Sequence, residues 1–216
     1  MIFSDRIDAG QKLAKVVAQS ADFTGWEVVG LARGGVVVAA EIAKVLSLPM
    51  ISLYIDDFHT DKAKFVITGL GSVVLWEIVN ETKEKRTVLT NLNSLRGIGE
   101  IAQTIDRVAK MQVIYNAGNS LDVSGKRVIL CDDGVVSGST AISAIDALRQ
   151  AGTKEILFAV PVVPASFPEE VNGCKVIYYR RSRSSSFATG MFYLRFDDVP
   201  DDEVIRTVSA FEAVAV

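Results

Sequence analysis

The segment VILCDDGVVSGSTAISAIDALRQAG, residues 128–152, restricts the possible folds more than any other part of the chain. Four apolar residues, too few for a helix and sufficient for a buried strand, run into two acids. A loop of small residues follows, and then apolar positions at helical spacing closed by Gly152. A buried strand handed to a helix in this way is the unit of an open, mainly parallel sheet covered by helices on both faces. Ligands of such sheets bind outside the carboxyl ends of the strands, where a helix N-terminus offers unpaired N–H groups and a positive dipole end. Gly138 lets the backbone approach closely, and Ser137, Ser139 and Thr140 add hydroxyls, so the loop can cradle a phosphate without Lys or Arg. Asp132 and Asp133 would face whatever hangs from that phosphate, and adjacent carboxylates suit a ribose diol or a Mg²⁺ ion with its waters.

The same alternation recurs along the chain. Ile7, Leu13, Ala14, Val17 and Ala18 follow Ser4, a candidate N-cap, at helical spacing. Glu27 begins a strand that meets the turn Arg33-Gly34-Gly35, then a helix stopped at Leu48-Pro49, then a second short strand over 50–54. Phe65 to Ile67 and Val73 to Ile78 read as an antiparallel ribbon, and a helix is expected from about 95 to 111. Strands are expected over 127–131, 156–160 and 175–178, with a helix over 140–150. The whole reads as one domain over 1–216, with 56–93 as a flexible or antiparallel insertion.

Composition excludes other classes. With 49% apolar and 23% charged residues the chain is neither disordered nor low in complexity. A net charge of −3 argues against nucleic acid as a partner; Arg180, Arg181 and Arg183 form the clearest basic cluster and read as a solvated loop. The apolar runs are strand-sized, far short of the roughly 20 residues that cross a bilayer, and the opening residues lack the apolar core of a signal peptide. No membrane partner and a cytoplasmic location are therefore expected. Cys131 and Cys174 lack metal-ligand or CxxC spacing and read as core. His59, in a polar turn, is assigned no role, and Phe187, Phe192 and Tyr193 read as edge packing. No Walker loop and no GxGxxG is present, and too little chain follows Asp132-Asp133 for a receiver domain.

The segment CDDGVVSGST resembles the phosphoribosyl diphosphate signature of the type I phosphoribosyltransferases: apolar strand, two acids, small residues, then a Thr/Ser-Gly-x-Thr loop. FSDRIDAGQKLA with LARGGVVVAAEIA, and later FATGMFY with FDDVPDDEVI, resemble the opening and closing segments of a poorly characterised branch of that family. The resemblance implies an α/β fold with an open, mainly parallel sheet and a small hood from the C-terminus or the insertion. It implies Asp132 and Asp133 as the catalytic acids that bind ribose hydroxyls and Mg²⁺. Val136, Ser137, Gly138, Ser139 and Thr140 are implied for the 5′-phosphate, and Arg33, Gly34 and Gly35 for pyrophosphate. An unusual backbone state at the Arg33 turn, with a non-proline cis peptide as one form, belongs to the same implication, as does closure of the site by the final segment.

Phosphoribosyl diphosphate and a nucleobase-like acceptor are thus the implied partners, Mg²⁺ the implied cofactor, and a homodimer a possible assembly. The implied reaction is Mg²⁺-dependent transfer of the phosphoribosyl group with release of pyrophosphate. Five positions depart from the family pattern. Asp56-Asp57 stands where a basic pair is common, Asn116 where a basic residue is expected, Val136 where purine enzymes carry an acid, and Ala32 where the branch has Pro. Asp56-Asp57 and Asn116 motivate an alternative, a non-catalytic sugar-phosphate sensor on the same fold.

Overall fold

Ala9, Leu13, Ala14 and Val17 form one apolar stripe, and the computed structural model of the protein folds it as helix α1, Arg6–Ala18, with all four buried. The structure describes residues 2–61, 63–80, 83–89, 99–184 and 187–212. The N-cap of α1 is Asp5 rather than Ser4. The Asp8 N–H donates to Asp5 Oδ1 at 3.0 Å and the Ser4 N–H to Asp8 Oδ2 at 2.9 Å, because a carboxylate is the stronger acceptor at a helix start.

After α1 come strand β1 (Trp26–Ala32), helix α2 (Gly34–Leu46) and strand β2 (Met50–His59). Strands β3 (Ala63–Thr68), β4 (Val73–Asn80) and β5 (Lys83–Leu89) precede helix α3 (Gly99–Tyr115). The chain continues through β6 (Arg127–Cys131), α4 (Ser139–Gln150), β7 (Glu155–Val163), β8 (Glu170–Val171), β9 (Cys174–Arg181) and α5 (Asp201–Glu212). The sheet runs in the order β5-β4-β3-β2-β1-β6-β7-β9-β8, and its central strands β2, β1, β6, β7 and β9 are all parallel.

The central strands are apolar throughout because both faces are covered. On β1, Val28 packs toward α1, α2 and α5, whereas Val29 and Leu31 pack toward α4. Ile129 and its neighbours Val128 and Leu130 divide in the same way on β6. Cys131 and Cys174 are free and buried in this core, and burial pushes the Cys174 thiol up to about 12. Among the described residues no helix is long and apolar enough to cross a membrane.

The second strand is longer than its sequence suggests because it changes partners. It pairs with β1 up to Tyr54 and then, from Ile55, antiparallel with β3. The ribbon read at Phe65 to Ile67 and Val73 to Ile78 is present as β3 and β4. One face of this ribbon, through Phe58, Phe65, Ile67 and Val73, packs on Ile101, Ile105 and Val108 of α3. The start expected for that helix, residues 95–98, lies outside the described residues.

Where β2 leaves an edge open, α3 fills it with amides. Asn116 Oδ1 accepts from Ser52 N–H at 2.9 Å and its Nδ2 donates to Ser52 O at 2.9 Å, while Gln112 Oε1 accepts from Tyr54 N–H at 2.8 Å. These bonds satisfy buried backbone groups that would otherwise be costly. Asn116, 1% exposed, is thus the lock between α3 and β2, and a basic side chain would bury a charge there.

Candidate active site

The carboxyl end of β6 lies between β1 and β7, and there the chain leaves the sheet. Asp132 N–H still donates to Ala159 O at 3.3 Å and Val135 N–H to Val162 O at 3.3 Å, so the acids are held at the strand mouth. The loop then turns at Gly138, whose φ of +84° suits glycine, and α4 begins at Ser139; its N-cap, Gly138, has no side chain to cap the first turn, and the Ser139 N–H donates to Ser137 Oγ at 3.4 Å. A cleft of about 260 Å³ opens at this helix start, lined by Asp132, residues 134–138, Thr140, Ala141 and Lys64. Val136, 60% exposed, stands at its lip, and the Ser137 and Ser139 hydroxyls lie 3.1 Å apart.

The glycine turn of β1 meets the acids directly. An added Cβ on Gly34 would lie 2.0 Å from Asp133 Oδ2, and one on Gly35 would lie 2.7 Å from Cys131 O and 2.8 Å from Asp132 Cα. Only residues without side chains let these two loops touch. The peptide bond between Ala32 and Arg33 is cis. The Arg33 side chain is directed elsewhere, 3.6 Å from Asp201 Oδ1 at the start of α5. Gly34, Gly35, Asp132, Asp133 and residues 136–140 are therefore brought together at one end of the sheet, and the Arg33 guanidinium stands at their margin.

Two adjacent carboxylates at this depth carry an electrostatic penalty. Burial, and then the charge of Asp133, hold the Asp132 carboxyl well above the usual carboxylate range. Burial raises Asp133 as well, against the opposing pull of Arg6. Arg6 Nε donates to Asp133 Oδ2 at 2.7 Å, Nη1 donates to Asp197 O at 2.6 Å, and the guanidinium stacks 3.9 Å above the Phe196 ring. Tyr193 Oη donates to Asp133 O at 2.6 Å, and Thr189 packs where a Gly134 side chain would stand. The closing segment thus buttresses the acids from behind. Its aromatics pack together as expected, with Phe3 and Tyr193 centroids 5.1 Å apart and Phe187 and Phe192 centroids 5.4 Å apart.

Strand alternation separates the acidic pair on β2. Asp56 faces α3, where Arg107 Nε and Nη2 both lie 2.7 Å from its Oδ2. Asp57 faces α4 and pairs with Lys64 at 2.9 Å and His59 at 3.4 Å. Burial works to raise the Asp57 carboxyl, yet the Lys64 ammonium and the neighbouring His59 together outweigh it and leave the group below its ordinary value. The expectation of a solvated basic loop is corrected in part: Arg181 pairs with Glu169 at 2.6 Å and donates to the carbonyls of Pro164, Ala165 and Phe167, tying down the loop after β7.

Sequence reasoning missed Arg6, Lys64 and Tyr193 as neighbours of the site. The quoted stretch FSDRIDAG contains Arg6, but nothing local ties it to an acid 127 positions away. Lys64 was legible only as the polar member of an alternating strand.

Comparisons with known proteins point the same way. The sequence profile of the phosphoribosyl transferase domain matches residues 4–191. Two curated Mycobacterium tuberculosis proteins, from strains CDC 1551 / Oshkosh and ATCC 25618 / H37Rv, carry names that assign them provisionally to the phosphoribosyl transferases. Each is 30% identical over 217 residues, covering 94% of this chain and 46% of its own length. The chain therefore spans about half the length of the curated relatives it matches. Among solved structures, TT1426 from Thermus thermophilus superposes with a TM-score of 0.73 at 26% identity, covering 98% of this chain and 99% of that one.

Proposed function

This chain belongs to the phosphoribosyl transferase family, and from that premise we propose that it transfers a phosphoribosyl group from phosphoribosyl diphosphate to a nitrogenous acceptor of the nucleobase type, with release of pyrophosphate. The observation that carries the reading is the contact of Gly34 and Gly35 with Asp133 and Asp132, beside a helix start whose N-cap is a glycine.

On this reading the start of α4, with Ser137, Gly138, Ser139 and Thr140, binds the 5′-phosphate through backbone N–H groups and hydroxyls. Val136 shapes the lip of that pocket. Asp132 and Asp133 accept hydrogen bonds from the ribose hydroxyls. The N–H groups around Arg33, Gly34 and Gly35 take the diphosphate, whose negative charge grows as it departs. The acceptor nitrogen gives its electron pair to C1 while the C1–O bond breaks, the diphosphate leaves with that bond's pair, and the hydrogen on the acceptor nitrogen departs as a proton to solvent. Placement and charge stabilisation suffice, so no side-chain nucleophile is required.

The residues fit a divalent cation. Two adjacent carboxylates with one guanidinium between them retain an uncompensated negative charge, and a cation would relieve what now raises the Asp132 carboxyl. Among the described residues no closed cage of three or more acidic, His or Cys ligands is present, so Asp132 and Asp133 would share the ion with substrate oxygens. Bound there, Mg²⁺ would supply positive charge to the diphosphate. The sensor alternative draws no support from Asp56, Asp57 or Asn116, whose side chains engage Arg107, Lys64 and Ser52.

The test is an assay of pyrophosphate release with phosphoribosyl diphosphate, Mg²⁺ and a panel of nucleobases and other amines. Release with at least one acceptor is expected. Tight binding of phosphoribosyl diphosphate with no release for any acceptor would replace transfer by the sensor reading.

A further inference from the structure

Resting on the phosphate-binding reading of residues 137–140, we infer that Lys64 is a substrate-binding residue that closes this site from the antiparallel ribbon and donates its ammonium to the bound phosphate. The loop can seat a phosphate by itself but brings no full positive charge to it, because residues 132–148 contain no Lys or Arg. A helix start without a cation offers only partial charges to a phosphate dianion.

The ribbon is built to deliver one. Lys64 stands opposite His59 on β2 and opposite Trp76 on β4, so alternation puts these side chains, with Asp57, on one face. That face lies on α4: Trp76 Nε1 donates to Ser143 Oγ at 3.0 Å and Lys64 Nζ to Ser139 Oγ at 3.3 Å. The other face is fixed by the apolar cluster on α3, so the ribbon is held from both sides. Lys64 forms a shared wall of the 260 Å³ cleft at Asp132 and of a second cleft of about 280 Å³ lined by His59, Trp76, Ser137 and Ser139.

The hydrogen-bond count leaves room for a ligand. An ammonium has three donors. One goes to Asp57 and one to Ser139, and the third has no acceptor among the described residues. Asp57 then has a defined part as a positioning residue: it is the counter-ion that aims the lysine at the helix start.

Calorimetric titration with ribose 5-phosphate compares wild type, Lys64→Met, Lys64→Arg and Asp57→Asn, with thermal melts run on each. Lys64→Met is expected to weaken binding by roughly 10- to 100-fold, the scale of one charge-assisted hydrogen bond, at nearly unchanged Tm. Lys64→Arg should restore most of the affinity, and Asp57→Asn should lose a smaller factor of a few. In wild type, ribose 5-phosphate should protect Lys64 from reductive methylation, read by mass spectrometry, a measurement that stands if a variant fails to fold. A Lys64→Met protein that binds as wild type does, or unchanged methylation of Lys64 at saturating ribose 5-phosphate, overturns this inference alone. A wild type that binds neither ribose 5-phosphate nor phosphoribosyl diphosphate overturns the proposed function and this inference with it.

Discussion

Gly34 has no side chain where the Asp133 carboxylate needs the space: a Cβ there would lie 2.0 Å from Asp133 Oδ2 and 2.9 Å from Arg6 Nε. One glycine therefore sets the distance between the turn after β1 and the acids after β6. Gly34→Ala is expected to push the carboxylate out of place, costing about 1–3 kcal/mol of stability as an overpacked contact. Binding of phosphoribosyl diphosphate should fall with it. Urea denaturation and calorimetry together check both, and an alanine variant with wild-type affinity would show that the two loops move apart without consequence.

Arg6 holds the Asp133 carboxylate from a distant part of the chain. Arg6→Met leaves Asp133 nearly buried without a cation, and the expected loss is about 3 kcal/mol at neutral pH. The penalty should shrink toward pH 5, because an unpaired Asp133 escapes it by taking a proton. Urea melts of wild type and variant at the two pH values read this difference directly.

The acids also predict how stability varies with pH. Asp132 is raised by burial and by Asp133, so its contribution is fully present below the ordinary carboxylate value of 3.8 and is lost as pH rises through its folded value. Asp5, Asp8 and Asp57 are lowered, so their contributions are lost only as pH falls through values below 3.8. The two windows do not overlap. In metal-free buffer the wild-type Tm should decline from the acid side toward neutrality, and Asp132→Asn should flatten that slope and raise the Tm at pH 7. An identical slope in the variant would assign it to other groups.

Asn116 makes a contrasting prediction. Asn116→Ala removes the partner of the buried Ser52 N–H, while Ser52 O keeps the Gln112 amide at 2.8 Å, and the expected cost is about 1–3 kcal/mol. Affinity for phosphoribosyl diphosphate in the folded fraction should not change, since the amide faces β2 and not the cleft. Asn116→Lys, the basic residue that the family resemblance suggests, should be worse than alanine because it adds a buried charge.

Much of the fold was legible because its signals are local. The strand Arg127–Cys131 lies where its apolar run put it, and the helix after it starts at Ser139, one residue before the expected position. Turn chemistry is equally local, as Gly138 shows with its positive φ at the start of α4. The extent of β2 was not legible, since the polar residues after Tyr54 belong to a strand only because β3 arrives to pair with them.

What the sequence determined by itself was the alternation of strands and helices and the identity of the loops at the sheet's carboxyl end, because periodicity and backbone demands are written in neighbouring residues. Only the tertiary structure decided how the charges pair. It sent Asp56 to Arg107 and Asp57 to Lys64 on opposite faces of one strand, and it brought Arg6 to Asp133. Arg107 lies 51 positions from Asp56 and Arg6 lies 127 from Asp133, and even Lys64, one hairpin away from Asp57, meets it only through strand register, so these pairings depend on register and helix packing that no single segment encodes.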